Sequence, residues 1–496
     1  MRTLLLAFFL AASPALAIDR AALEKLASGD NDEKVEAIGA LLAEGDPEAA
    51  AVLAKFAEGE VVVDGKAVEV VVNNRLRSAV ADALAALRLL SPERAVRLEA
   101  AKALAGGADA SMLALVRKAL EKETDPDIKP LLDLTAASME MASGDKQTRL
   151  AAIRRLGESN SPNSRTLLAE AATDSDAEIR IAAQKSLREV QGKLAWGERA
   201  GLLFAGISLG SILLLAALGL AITYGLMGVI NMAHGELIMI GAYTTYVVQN
   251  LFKANFPGAF DWYLLAAVPA SFVFSALVGM ALERLVIRWL YGRPLETLLA
   301  TWGISLMLIQ SVRSIFGAAN VQVENPAFMS GGIQAFAGVV LPWSRIGIIV
   351  FAVAVLISIW LLLTRTRLGL FVRSVTQNRD MASCVGVPTA RVDTWAFGLG
   401  SGIAGLAGCA LSQIGNVGPD LGQGYIVDSF MVVVFGGVGQ LAGTVYAALV
   451  LGFANKFLES MSGAVIAKIA VLVFIIFFIQ RRPQGLFAVK GRAVDA

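Results

Sequence analysis

The pattern of hydrophobic positions divides the chain into two unlike halves. Up to about residue 195, Ala-rich apolar stripes with helical spacing alternate with short polar turns. Beyond it follow eight long apolar segments with sparse charges, at about 201–222, 226–248, 263–282, 295–316, 346–363, 394–414, 427–454 and 464–479. Most approach the ~20 residues that a membrane-spanning helix needs. The sequence therefore predicts an all-α chain, with a helical-repeat domain at 18–195, a linker at 196–200 and a polytopic membrane domain at 201–487.

Three segments of the first half align with one another, beginning at Val35, Leu98 and Leu150. Each reads as a helix, a short polar turn and a second helix. A repeat of about 50 residues built from helix pairs is typical of HEAT-like solenoids, in which neighbouring pairs bury each other's apolar faces. Alternating valines around Asp64-Gly65 predict a β-hairpin insertion near 61–70. This half has no histidine, no cysteine and no Gly-rich loop before a helix, so the pattern favours solvated helix faces or a docking surface over catalysis.

The first 17 residues have the features of a secretory signal peptide. Arg2 gives a short positive region, 4–12 is apolar, and Ala15-Leu16-Ala17 forms an A-x-A cleavage site. A membrane anchor is the weaker alternative, because this apolar run is much shorter than a spanning helix. We therefore expect cleavage after Ala17 and export of the repeat domain, which in a bacterium means a periplasmic location.

Basic residues indicate the orientation of the second half. Arginines are concentrated in the connections 284–293 and 365–391, and the end of the chain carries Arg481, Arg482 and further basic residues in the tail 488–496. The positive-inside rule places such segments in the cytoplasm. The formal net charge of +1 argues against a nucleic-acid partner. The two cysteines, Cys384 and Cys409, imply no disulfide framework.

Counting crossings makes the segment 427–454 unusual. Six crossings from an external residue 200 return the chain to the outside before this segment, and two more would leave the basic tail outside. The sequence GGVGQLAG at 436–443 interrupts the segment, and its arms 427–435 and 444–454 are each about half a bilayer long as helix. We therefore expect a re-entrant hairpin. Its helix-break candidates are Gly436, Gly437, Gly439 and Gly443, and the alternative is a single kinked helix.

Polar residues stand inside the second apolar segment, in GVINMAHGELIMIGA at 228–242. If its helix starts near Val229, Asn231 and His234 share one face, and Glu236 lies about 200° from His234. Ionisable residues inside a membrane are costly and usually face the bundle interior or a wet pathway. The alternative is that His234 is a hydrogen-bonded packing residue. The candidates for a translocation pathway are Asn231, His234, Glu236, Asp428 and Gln440. No catalytic set, metal site or cofactor is predicted.

Several spaced motifs resemble one transporter family. The stretch at 218–243, LGLAITYGLMGVINMAHGELIMIGAY, is similar to a signature of branched-chain amino acid permeases of ATP-binding-cassette importers. The loop at 366–392, VVVFGGVGQLAGTVYAALVLG at 432–452 and the closing RPQGLF at 482–487 resemble the same family. The resemblance covers essentially 201–487. Within that family, an exported helical domain ahead of the permease resembles the B subunit of urea importers.

The resemblance implies a set of partners in the bacterial inner membrane. These are a second permease subunit, two cytoplasmic ATPase subunits and a periplasmic solute-binding protein. The sequence itself contains no G-x-x-x-x-G-K-[ST] phosphate-binding loop, so ATP is expected to be hydrolysed by other chains. The resemblance places ATPase docking in the loop 365–391, where 378–386 can form a short helix that ends at Gly386. The coupling candidates are Arg373, Asn378, Arg379, Asp380, Ala382 and Gly386.

Two other functions fit parts of the sequence. The chain could be a permease for branched-chain or other amino acids, because polar pathway residues alone do not distinguish these solutes from urea. It could also be a passive channel for small neutral solutes with a regulatory periplasmic domain, which copurification with an ATPase would disfavour. A scaffold with a membrane anchor would not need eight apolar segments.

Overall fold

A computed structural model describes residues 20–44, 47–63, 66–70, 72–105 and 112–487. The predicted signal peptide at 1–17 and the tail at 488–496 lie outside the described residues. The chain divides into two compact units, Met1–Trp196 and Gly197–Ala496.

The first unit is built from short helices and one hairpin. The hairpin pairs β1 (Glu60–Val63) with β2 (Lys66–Glu69) and places Val61 opposite Val68. The helices are α1 (Arg20–Ser28), α2 (Asn31–Glu44), α3 (Pro47–Ala57), α4 (Asn74–Arg88), α5 (Arg94–Leu104), α6 (Leu113–Lys122), α7 (Lys129–Met141), α8 (Lys146–Glu158) and α9 (Pro162–Ala171). The tenth helix, α10 (Ala177–Met227), contributes residues to both units, and the predicted linker 196–200 is helical within it.

Side-chain caps and apolar stripes explain these helices. Asn73 accepts a hydrogen bond from the Leu76 amide at 2.8 Å and so caps the start of α4. Asp145 does the same for α8, accepting from the Thr148 amide at 2.9 Å. Helix-spaced apolar side chains fill the core of the unit, where Phe56 is fully buried.

A similar ion pair closes two of the helix pairs of the first unit. Arg97 on α5 donates to Glu123 at 2.7 Å across 26 positions of the chain. Arg149 on α8 pairs with Asp174 across 25 positions. Each arginine lies near the start of one helix, and each carboxylate lies in the polar turn after the following helix. The same arrangement is therefore used twice at nearly the same spacing.

The second unit is a bundle of long apolar helices. After α10 come α11 (His234–Asn255), α12 (Tyr263–Leu285), α13 (Pro294–Phe316), the hairpin β3 (Gly332–Phe336) and β4 (Val339–Pro342), α14 (Trp343–Arg365), α15 (Arg367–Gln377), α16 (Arg379–Cys384), α17 (Thr389–Ser412), α18 (Gln423–Gly436), α19 (Leu441–Ser462) and α20 (Ala464–Arg481). Short 3₁₀ helices occupy Pro257–Trp262, Ile287–Leu290 and Ala327–Met329.

In the described part of the chain, seven helices are long and apolar enough to cross a membrane. They are Ala177–Gly225, Pro257–Leu285, Pro294–Phe316, Trp343–Arg365, Thr389–Ser412, Leu441–Ser462 and Ala464–Arg481. The sequence pattern had suggested eight apolar segments. Helix α11 is long enough to cross a membrane but is too polar to be one of the seven. Helix α18 is apolar but has only 14 residues.

Helix α17 lies at the centre of the bundle. Of its most apolar 18-residue stretch, 89% is buried, whereas the corresponding share for α20 is 17%. Small residues allow its neighbours to approach closely. A Cβ atom added to Gly241 on α11 would lie 2.1 Å from the carbonyl oxygen of Gly405 on α17. One added to Gly279 on α12 would lie 2.0 Å from Ser401 Oγ. Close packing of small residues is the usual basis of helix association in membranes.

The predicted hairpin in 427–454 needs a correction. The chain does break within GGVGQLAG, where Gly437 and Gly439 have φ values of 101° and 78°, and α18 packs against α19 as a hairpin rather than as one kinked helix. However, the two arms are not equal half-spans. Helix α19 continues to Ser462 and has 22 residues, or about 33 Å of helix, enough to cross the bilayer.

Candidate functional site

The segment before α11 is a break in the bundle, and it corrects the predicted helix start. The helix expected from Val229 begins at His234, and 228–231 is not helical. The Asn231 side chain accounts for part of this later helix start. Its Oδ1 accepts a hydrogen bond from the Ala233 amide at 3.0 Å and so closes a local turn in place of a helical one. Thr301 Oγ1 of α13 accepts the Met232 amide at 3.2 Å. Asn231 therefore does not share a helix face with His234.

His234 connects the start of α11 to the C-terminal part of α10. Its side chain is fully buried, and Nε2 donates to the carbonyl oxygen of Ala216 at 2.9 Å. Gly219, one turn further along α10, leaves room for the ring, because a Cβ there would lie 3.0 Å from His234 Cε1. Nδ1 of His234 and Nδ2 of Asn231 have no hydrogen-bond partner among the described residues. The break thus contains two buried nitrogen atoms whose hydrogen-bonding capacity is unused.

Glu236 is directed to a different neighbour. Its Oε1 accepts a hydrogen bond from Ser305 Oγ of α13 at 2.7 Å, and its side chain is buried. His234 is bonded to α10, so the two ionisable side chains do not form an acid–base pair.

Asp428 and Gln440, the other two pathway candidates, have partners of their own. Asp428 on α18 is buried and lies 3.3 Å from Lys468 Nζ on α20. The pattern of apolar segments did not single out Lys468, although a lysine inside an apolar run is itself a signal. Gln440 is in the turn between α18 and α19, where its backbone carbonyl oxygen accepts a hydrogen bond from Thr444 Oγ1 at 3.0 Å. These partners are different from those of His234 and Glu236.

Glycines bring the interrupted segments into contact. A Cβ on Gly422, just before α18, would lie 1.9 Å from the carbonyl oxygen of Gly235 on α11. At the other end of α18, a Cβ on Gly436 would lie 2.5 Å from the carbonyl carbon of Gly443. Non-helical backbone at membrane depth is tolerated only inside protein or beside a cavity. These contacts place both breaks inside the bundle.

The loop between α14 and α17 contains the short helix that the sequence predicted near 378–386. Asn378 caps α16 by accepting the Met381 amide at 2.9 Å, and the turn after α16 ends at Gly386, whose φ is 88°. Arg373 and Asp380 are exposed. Ala382, however, is buried and packs with Val375, Val392 and Ala396 inside the permease.

The Ala382 side chain therefore faces the permease and is not presented to a partner, while the coupling role of the loop stays a prediction. The residues that α16 and its end present outward are Met381 and Val385, which are 62% and 74% exposed.

Arg379 ties α16 to the rest of the bundle. It pairs with the fully buried carboxylate of Asp393 at the start of α17, and its guanidinium lies 4.9 Å from the centre of the Tyr291 ring. The Tyr291 hydroxyl in turn lies 3.2 Å from Glu283 Oε1 on α12 and 2.9 Å from the sulfur of Met227 at the end of α10. This polar cluster joins α10, α12, α16 and α17.

Sequence reasoning did not identify Glu283, Tyr291 and Asp393. The only signal available was the presence of carboxylates at the ends of apolar segments, and nothing in the linear pattern showed that three separate elements bring these side chains together. No group of three or more potential metal ligands occurs within the described ranges.

Comparison with known proteins identifies the class. Residues 202–480 match the family described as the permease component of branched-chain amino acid transport systems. The chain belongs to this family, so it is a transport subunit and not an enzyme. Together with the apolar helices, this indicates a multi-pass protein of the inner membrane.

Individual relatives agree with this class. The chain is 28% identical to the high-affinity branched-chain amino acid permease BraD of Pseudomonas aeruginosa, over 57% of this chain and 93% of BraD. It is 27% identical to LivH of Escherichia coli, over 57% of this chain and 94% of LivH. The ribose import permease RbsC of Escherichia coli is 26% identical over 42% of this chain and 68% of RbsC. No solved structure matches the chain significantly.

Proposed function

We propose that this chain is the permease subunit of an importer that takes up urea delivered by a periplasmic binding protein. The observation that carries the proposal is the additional N-terminal unit. Relatives such as BraD are matched over 93% of their own length by only 57% of this chain. The remainder is mostly the helical unit Met1–Trp196. Such a helical domain ahead of the permease is the feature that resembles the B subunit of urea importers.

The N-terminal unit is proposed to be an exported HEAT-like domain. Two observations support a repeat: the three aligned segments of the sequence, and the ion pairs Arg97–Glu123 and Arg149–Asp174 at almost equal spacing. The apolar signal sequence and the cytoplasmic placement of the arginine-rich loops support its periplasmic location. Its role is proposed to be docking, since solenoids present extended binding surfaces.

The assembly is proposed to contain a second permease, two ATPase subunits and a binding protein. The exposed apolar residues Met381 and Val385 beside α16 support ATPase docking at this loop, because burying them against a partner removes apolar surface from water. The asymmetry of arginines supports a cytoplasmic position for the loop 365–391 and for the C-terminal tail.

Import of branched-chain amino acids is the second candidate. BraD and LivH are both named as branched-chain amino acid permeases, which favours it, and both match the permease part of this chain over most of their length. A passive small-solute channel is less well supported, because the relatives belong to transport systems and the chain has an exposed apolar docking helix.

Uptake in a deletion strain tests the proposal. A strain lacking this gene, and the same strain carrying it on a plasmid, are given radiolabelled urea or leucine at micromolar concentration, in a urease-negative background. We expect the deletion to abolish energy-dependent urea accumulation and to spare leucine. Loss of leucine uptake alone would establish the second candidate instead. Urea equilibration without accumulation, and without a copurifying ATPase, would indicate a channel.

A further inference from the structure

A polar cavity of about 290 Å³ lies among three separate segments of the second unit. One segment follows α13, one begins α14, and one follows α17. Their polar side chains that line the cavity are Gln322, Asn325, Ser344, Arg345, Ser412, Gln413 and Asn416. None of these residues was singled out as a site from the sequence.

The floor of the cavity is held rigidly. Gln413 is buried, and its Oε1 lies 3.2 Å from the hydroxyl of Tyr263 on α12. Gln413 Nε2 donates to Ser412 Oγ at 3.1 Å, which leaves the second N–H of the amide unused by this bond. Val321 and Val417 join two of the lining segments by a pair of backbone hydrogen bonds of 2.8 Å. The amide of Gln413 is therefore fixed in place before any solute arrives.

Arg345 is the one charged side chain among the described residues that line the cavity. Its side chain is half-buried, and within the described part of the chain its hydrogen-bond partner is Ser208 Oγ, at 3.4 Å from Nη1. A guanidinium carries five N–H donors, so most remain available. Arginines at such positions are usually paired with a carboxylate. Among the described residues that line this cavity there is neither an aspartate nor a glutamate.

This set of groups defines the chemistry of a suitable solute. An acceptor oxygen of the solute would receive charge-assisted hydrogen bonds from the guanidinium. Amide N–H groups of the solute would donate to the side-chain oxygens of Gln322, Asn325 and Asn416. An amino acid would also bring an ammonium group, for which no lining carboxylate is present. A small neutral amide therefore matches the cavity better than a zwitterion.

We propose that this cavity receives the solute during transport, with Arg345 donating hydrogen bonds to the carbonyl oxygen of a neutral amide such as urea. The inference rests on the proposed importer function and deepens it by naming the residues that meet the solute. Arg345 then contributes to binding the solute in the cavity. Docking of the binding protein and ATP hydrolysis do not depend on it.

Transport by the complete complex in proteoliposomes tests this inference. The complex contains this chain, its partner permease and the ATPase subunits, with saturating binding protein and urea. Three variants are compared: Arg345→Met, which removes the donors, Arg345→Lys, which keeps the charge, and Arg313→Met as a control. Arg313 is an exposed arginine of α13 that does not line the cavity.

We expect Arg345→Met to lower the urea transported per ATP hydrolysed by about tenfold, the effect of losing one hydrogen bond to a charged group. Stimulation of ATP hydrolysis by the binding protein should remain, Arg345→Lys should recover part of the transport, and Arg313→Met should behave as wild type. Membrane levels of each variant control for folding.

Three results would overturn the inference. Equal urea transport per ATP by Arg345→Met and the Arg313→Met control would show that the cavity is not on the route. A combined loss of transport and of ATPase stimulation would make Arg345 a docking residue for the binding protein. A wild-type complex that transports leucine and not urea refutes the proposed substrate and, with it, the assignment of the cavity to a neutral amide. The first two results leave the proposed function intact.

Discussion

His234 Nε2 donates a hydrogen bond of 2.9 Å to the carbonyl oxygen of Ala216, and this bond joins the start of α11 to the C-terminal part of α10. The chain's sole histidine is thereby an anchor for a helix that begins inside the bundle. Residues 228–231 before it are not helical, so this bond ties the start of α11 to the bundle where no continuous helix does so.

The first prediction concerns this anchor. His234→Gln keeps an N–H donor and should assemble with nearly wild-type thermal stability. His234→Leu removes the donor and should destabilise the assembled complex by about 1–2 kcal/mol, with urea uptake falling in proportion to the amount of assembled protein. Thermal unfolding in detergent and uptake per assembled complex are the two measurements. If the leucine variant assembles fully and still loses uptake, His234 contacts the solute and is more than an anchor.

Patterns along the sequence predicted the local features of the structure better than the contacts between distant residues. The apolar lengths predicted the long helices, and the glycines of GGVGQLAG predicted a break, because both are local properties. The predicted start of α11 was wrong because the Asn231 side chain accepts a backbone hydrogen bond and so competes with the helical hydrogen bonds. The Tyr263–Gln413 contact joins residues 150 positions apart. No periodicity encodes such a contact, so the cavity of Arg345 could not be found from the sequence.

The second prediction concerns the outward face of the loop helix α16. Met381→Asp should abolish association with the ATPase subunits and leave the permease folded, because it places a charge on an exposed apolar surface that we propose is buried on docking. Ala382→Trp should instead reduce the amount of folded permease, since Ala382 is enclosed by Val375, Val392 and Ala396. Copurification of the ATPase and monodispersity of the permease distinguish the two effects. Wild-type copurification by Met381→Asp would show that the groove lies elsewhere.

The third prediction concerns the pair Arg379–Asp393. Arg379→Met leaves the fully buried carboxylate of Asp393 without its cation. The stability loss should be smaller than the about 3–5 kcal/mol of a fully buried pair, because Arg379 is partly exposed. The double variant Arg379→Met/Asp393→Asn should regain much of the loss, because no charge is then left unpaired. Thermal unfolding of the two variants measures this, and additive losses in the double variant would mean that the residues do not stabilise each other.

The fourth prediction concerns pH and the N-terminal unit. The Arg97 guanidinium, which donates to Glu123, holds the pKa of that carboxyl below its usual value of 4.5. A carboxyl whose pKa is lowered in the folded state stabilises that state above its unfolded pKa, and the contribution is lost as pH falls through the folded pKa. Arg97→Met should therefore be less stable than wild type at pH 7, and the difference should shrink below about pH 4.5.

Circular dichroism of the full chain in detergent, followed during heating at several pH values, checks this dependence. Lys118→Met, a change at an exposed lysine of α6, is the control and should show no such trend. A wild-type advantage over Arg97→Met that is as large at pH 3 as at pH 7 would contradict the assigned cause.

The last prediction uses two neighbouring glycines, Gly422 and Gly424. A methyl group on Gly422 would meet the carbonyl oxygen of Gly235 at 1.9 Å, which is backbone and cannot rotate away. Gly422→Ala should therefore force α11 and α18 apart, lower the thermal stability of the permease and greatly reduce urea uptake. Gly424 has no atom within 4 Å of the same added position and lies within α18. Gly424→Ala should be tolerated, because the added methyl group meets no neighbouring atom. Both variants change one hydrogen to a methyl group two residues apart, so a difference in uptake and melting temperature reports the contact itself. Equal behaviour of the two variants would show that the close approach of Gly235 and Gly422 is not required for transport.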